Sequence, residues 1–85
     1  MSTTQLMKNC LDNLSKDKQL EFKRKLRADV PSVLLGDNIE DDATAQKTVN
    51  TLVKAFSIQP ALKLIIDILN KIDCTEDATK LNQGI

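Results

Sequence analysis

The chain has 85 residues, 41% of them hydrophobic and 28% charged, and its 12 basic residues balance 12 acidic ones. A neutral chain of this length forms one small domain (residues 1–85) that buries only about 60–65% of its unfolded surface, and it lacks the overall positive charge of a nucleic-acid binder. It has no histidine, which removes the usual catalytic base and the usual zinc spacings, and no run of ~18 apolar residues long enough to span a membrane.

Two glycines and two prolines leave few turn signals for strands, while aliphatic residues, Lys, Gln and Asp recur at helical spacing. The expectation is an all-α domain. Ser2 and Gln5 read as a capping box, followed by Leu6, Cys10, Leu11 and Leu14 on one face, so a first helix is placed over residues 3–13. Ser15 caps a second helix running to Ala28, with Asp17 in its first turn and Phe22 and Leu26 as its thin core face. Val30-Pro31 breaks the helix, one short turn is expected over residues 31–35, and Gly36-Asp37-Asn38 signals a loop that Ile39 tacks to the core. Asp41 or Asp42 is expected to cap a fourth helix with the stripe Ala45, Val49, Leu52, Val53 and Phe56. Ser57 caps the next helix and Pro60 lies in its first turn, where a missing N–H is tolerated. Apolar residues from Ala61 to Ile72 cover more than half of that helix, which places it at the centre of a bundle. Thr75 is expected to cap a last short helix with Leu81 inside.

No reaction centre emerges, so the chain reads as a non-enzyme. No spacing supplies a lysine base for a Ser, Cys or Thr nucleophile, and no glycine-rich phosphate loop exists. The acidic stretch "DNIEDD" lacks the alternating oxygen ligands and closing glutamate of a calcium loop, so neither metal nor cofactor is expected. Cys10 and Cys74 read as reduced core residues, with a disulfide between the first and last helices as the alternative; the absence of a signal-peptide pattern points to an intracellular, cytoplasmic location.

What remains is a surface. Residues 16–27, "KDKQLEFKRKLR", hold six cations (Lys16, Lys18, Lys23, Arg24, Lys25, Arg27) against Asp17 and Glu21, a local +4 and half the positive charge of the chain. On a helical wheel Lys16, Leu20, Lys23 and Arg27 form one outward row, with Leu20 an apolar residue among cations and Gln19 in an inward position. An apolar anchor inside a charged rim is the anatomy of a contact patch. Asp37, Glu40, Asp41 and Asp42 make a local −4 in the following loop. If the two charge clusters occupy separate faces, copies of the chain can meet plus to minus, in a heterologous contact that builds rings or open filaments. Neutralisation of the helix-2 cations by the loop carboxylates of the same chain would remove that stacking force.

"LDNLSKDKQLEFKRKLR" (Leu11 to Arg27), Val30-Pro31, "ALKLIIDILNKID" (Ala61 to Asp73) and "EDATKL" resemble, in order and spacing, the pyrin domains of the death-fold superfamily, over about residues 5 to 82. The resemblance implies a six-helix antiparallel bundle with a weak third helix and no enzymatic activity. It also implies homotypic binding to the pyrin domains of an inflammasome adaptor or receptor, with filament assembly in innate immune signalling. Asp12 and Lys25 match commonly acidic and commonly basic positions, and Leu20 stands where a basic residue is frequent. The acids that the family often spaces along helix 4 are replaced by Thr44, Lys47 and Asn50, and Lys47 opposes a basic partner. The candidate interaction residues are therefore Asp12, Lys16, Leu20, Lys23, Lys25, Arg27, Glu40, Asp41 and Asp42, and Lys25→Glu is expected to abolish assembly. Self-association is expected and membrane binding is not. The alternatives are a pyrin-only decoy that caps such filaments and a basic-helix nucleic-acid binder.

Overall fold

The computed structural model describes residues 2–84 and contains, among them, six helices: α1 (Thr3–Asp12), α2 (Lys16–Asp29), α3 (Ser32–Leu35), α4 (Ala45–Phe56), α5 (Ile58–Lys71) and α6 (Thr75–Gln83). They fill a body of 31 × 26 × 18 Å. The all-helical expectation and the element order hold, with boundaries shifted by a residue or two.

α5 is the central element because its apolar surface is the widest. Ala61, Leu62, Ile65, Ile68 and Leu69 are buried on it, and it packs against α1, α2, α4 and α6. Phe22 and Leu26 of α2, Leu52 and Val49 of α4 and Leu81 of α6 close the same core. On α1 the buried residues are Met7 and Leu11, while Leu6 and Cys10 are only partly covered. Met7 extends the expected stripe by lying one turn before Leu11.

The helix ends show where local chemistry decided the boundaries. Ser2 Oγ accepts from Gln5 N at 3.2 Å, and Ser15 Oγ accepts from Lys18 N at 3.3 Å, as expected of Ser N-caps. Gln5 does not turn its amide nitrogen back to complete a box; it donates to Asn9 Oδ1. Three expected caps are corrected. Ser57 holds the N-cap position of α5, but its side chain makes no cap bond and donates to Phe56 O instead. α4 is capped by Thr44, whose Oγ1 accepts from Lys47 N at 3.1 Å, and not by Asp41 or Asp42. α6 begins after Cys74, so Thr75 is its first residue. Asp41 does not cap because it is held by α2, three residues before the cap position at Thr44.

α3 is a single turn. Pro31 fixes its start, and Gly36 ends it at φ +73°, donating N–H to Ser32 O. That left-handed conformation is open to glycine without the Cβ penalty other residues carry. Only Leu35 of α3 is buried, and Val33 and Leu34 stay 83% and 59% exposed. Beyond it Ile39 is buried and fastens the loop to the core as expected. Among the described residues no helix is long and apolar enough to cross a membrane. Both cysteines are free thiols, Cys74 buried and Cys10 half-buried.

Candidate protein-interaction site

The loop between α3 and α4 folds back over α2, and this single fact rearranges the charge map read from the sequence. Lys23, expected in the outward row, is 9% exposed. On the helix it sits one residue from Phe22, and the returning loop covers what the helix alone would leave open. Its ammonium donates to Asp41 O at 2.8 Å, which satisfies a buried charge with a carbonyl. Arg27 donates to Ile39 O at 3.2 Å and pairs with the Asp41 carboxylate, and Arg24 lies 3.7 Å from the same carboxylate. The two guanidiniums, Arg27 first, hold the Asp41 carboxyl below the usual carboxylate range.

The other cations of the segment are also engaged. Lys18 donates to Ile72 O at 2.8 Å, at the carbonyl-rich end of α5, and pairs with Glu21 at 3.2 Å. Lys25 lies 3.6 Å from Asp29, and Asp29 in turn accepts from Lys71 of α5 at 2.9 Å. The Lys71 ammonium holds the Asp29 carboxyl below its ordinary value, and Lys71, which also pairs with Asp67, is itself raised. Gln19, in the inward position that puzzled the helical wheel, donates to Leu14 O at 3.0 Å and to Asp12 O at 3.4 Å. It clips the carbonyls at the end of α1, a task a leucine cannot perform. Lys16 alone of the six cations has no ion pair or side-chain hydrogen bond among the described residues.

The separation of positive and negative charge onto different faces is thus corrected. Asp41 neutralises Arg24 and Arg27 within the chain, and Lys23 is buried. Whole-face stacking of plus on minus loses the driving force the sequence suggested, because the connector brings the acids to α2.

What the fold does create is a groove. An open depression of about 700 Å³ between the α1–α2 turn and the start of α4 is lined by Asp12, Lys16, Gln19, Leu20, Lys23, Asp41, Asp42, Ala43, Thr44 and Ala45. Six of the nine candidate residues meet there: Asp12, Lys16, Leu20, Lys23, Asp41 and Asp42. Leu20, itself half-buried, lines it together with Ala43 and Ala45, which gives it an apolar lining. Lys8 pairs with Asp12 at 3.7 Å on one rim. Arg27 continues the α2 row beyond the groove, and Glu40 stands exposed in the loop without an ion pair among the described residues. Lys25 lies on the opposite edge of α2, half a turn round from Leu20, and is not part of the groove.

A second depression, about 750 Å³, lies between α3 and α4 and is lined by Val33, Leu34, Lys47, Asn50 and Lys54 among others. The sequence signal for it was present in the apolar run Val33-Leu34-Leu35 on a helix too short to bury all three. α4 carries no acidic residue. Among the described residues no group of three or more His, Cys, Asp or Glu side chains is arranged to hold a metal ion.

A six-helix bundle with one vestigial helix and an open groove of apolar and charged side chains fits a small interaction module. The PAAD/DAPIN/Pyrin domain family model matches residues 5–79, and the chain belongs to that family. It is therefore a homotypic death-fold interaction module. No curated protein and no solved structure matched the chain.

Proposed function

We propose that the domain recruits the pyrin domain of an inflammasome adaptor or receptor in the cytoplasm, and nucleates filament assembly in innate immune signalling. The observation that carries this reading is the convergence of Asp12, Lys16, Leu20, Asp41 and Asp42 on one groove. Its apolar lining supplies affinity, and Lys16, Asp42 and Glu40, which have no ion pair among the described residues, set orientation and rate. No step of bond-making is involved.

The test is a point change at the apolar lining. Leu20→Arg places a cation in the apolar lining that Leu20 shares with Ala43 and Ala45, at a half-buried position outside the core cluster. Self-assembly followed by light scattering, and binding to a pyrin-domain adaptor, are expected to fall by more than tenfold, as for loss of a central contact worth about 2 kcal/mol. Lys25→Glu is expected to weaken assembly less, since Lys25 faces Asp29 on the other edge of α2. Unchanged assembly by the Leu20 variant would remove the groove from the interface.

A second reading, a decoy that caps a partner's filament, is favoured by α4. Gln46, Lys47, Asn50 and Lys54 on its exposed side give it no carboxylate with which to receive a basic neighbour. A chain with one competent face binds a filament end and stops growth. Added to a polymerising adaptor domain, a decoy slows growth and a nucleator speeds it. The nucleic-acid alternative draws no support from α2, where five of the six cations are engaged within the chain.

A further inference from the structure

The α2 cations grip the α3–α4 connector in two ways that differ in consequence. Lys23 and Arg27 bond to backbone carbonyls, Asp41 O at 2.8 Å and Ile39 O at 3.2 Å. Together with buried Ile39 these bonds fix the path of the connector whatever side chain stands at position 41. The Asp41 carboxylate makes the other contact, to Arg27 and to Arg24 at 3.7 Å. That contact lies at the surface, with all three side chains between about a third and two thirds exposed, so it is weak and open to exchange. Two guanidiniums converging on one carboxylate oxygen pair also form a ready fork for another carboxylate. Arg27 lies on the same helical row as Lys16 and Leu20, so the fork continues the groove.

We propose that Asp41 is a built-in competitor, whose carboxylate occupies Arg24 and Arg27 and masks a carboxylate-binding extension of the groove until a partner's acidic side chain displaces it. The proposal rests on the homotypic-assembly reading and adds its regulation. The backbone anchors make displacement inexpensive, because the connector keeps its place while only the carboxylate swings out. A single acid in free solution competes poorly with one tethered beside the fork. An acidic surface already docked in the groove presents its carboxylate at high effective concentration and displaces Asp41. The module is then held back in isolation and opened by correct docking.

Asp41→Asn tests this, since it keeps the carbonyl that Lys23 uses and removes only the charge. Asp41→Asn is expected to self-associate, or to bind a pyrin-domain adaptor, roughly two- to fivefold more tightly than wild type at low salt, the factor set by one exposed ion-pair contact. The gain is expected to vanish when Arg24→Gln and Arg27→Gln are added. Glu76→Gln, a change of equal charge at an unpaired acid on α6 away from the groove, is expected to give no gain. In the carboxyl-carbon NMR titration the Asp41 side chain returns towards its ordinary ionisation range in Arg24→Gln/Arg27→Gln. A wild type that associates while Asp41→Asn associates no better overturns the proposal, as does a gain that survives loss of both arginines or is matched by Glu76→Gln. Titration of Asp41 unaffected by the arginine changes overturns it too. If neither wild type nor Asp41→Asn associates with itself or with an adaptor, the homotypic-assembly reading itself fails.

Discussion

Lys23 shows how one side chain can be misread by a helical wheel and still lie at the site. Its position beside Phe22 leaves it on the border of the core face, and tertiary cover by the connector decides its burial. The charge pairs around it make a pH prediction. The carboxyls of Asp29 and Asp41 are both depressed from an ordinary 3.8, chiefly by Lys71 and Arg27. The folded state therefore releases these protons more readily than the unfolded state. The stabilisation is fully present above the ordinary value and is lost as pH falls through the depressed values. Thermal unfolding followed by circular dichroism is expected to show a melting temperature that falls below about pH 4, and less steeply in Asp29→Asn/Asp41→Asn. A second prediction concerns Cys10, whose thiol is pushed up to about 11, first by burial and then by the Asp77 carboxylate. Its Sγ donates to Asp77 O at 3.7 Å. Alkylation by iodoacetamide at pH 8 is expected to be at least tenfold slower than in the denatured chain. The unfolded thiol ionises first, near 9, so stability declines as pH rises from about 9 towards 11.

At the scale of elements, the connector between α3 and α4 is the piece that makes the site. It has no helix of its own, and its order comes from Ile39 in the core and from two α2 cations on its carbonyls. Ile39→Ala removes the apolar anchor. It is expected to cost about 2–5 kcal/mol in chemical denaturation and to speed amide hydrogen exchange over residues 37–44 more than elsewhere. Exchange raised equally across all helices would show that the connector is not a separate unit of stability. The helices were legible in the sequence because their apolar spacing and serine caps act locally, as at Ser2, Ser15 and the stripe of α5. The path of the connector was not, because it depends on contacts between residues 12 to 18 apart: Arg27 with Ile39, Arg27 with Asp41, and Lys23 with Asp41. The same distance dependence hid the role of Gln19, which reads as a defect in an apolar face until the end of α1 is seen above it. Asp41 failed as a helix cap for the reason that it succeeds as a partner of α2.

For the whole molecule, neutrality has a structural meaning. Among the described residues, eight ion pairs tie charges within the chain. They leave Lys16 and Asp42 as uncommitted charges in the groove lining, with Glu40 exposed in the adjoining loop. Surface pairs of this kind add little stability each, so their main effect is to choose which charges a partner meets. Six of the nine candidate residues line one groove, Arg27 and Glu40 lie beyond it, and Lys25 stands on the other edge of α2, paired with Asp29. For the proposed interface, a small apolar lining with charge at its rim, salt is expected to change the rate of assembly more than its final extent.

The most direct test is a chemical-shift map of the isotope-labelled domain titrated with an unlabelled pyrin-domain adaptor, under conditions that keep both short of filament growth. The largest changes are expected to cluster at Asp12, Lys16, Leu20 and residues 41–45. Changes confined to the far side of the bundle, around Lys63 and Lys80, with the groove amides unmoved, would contradict it.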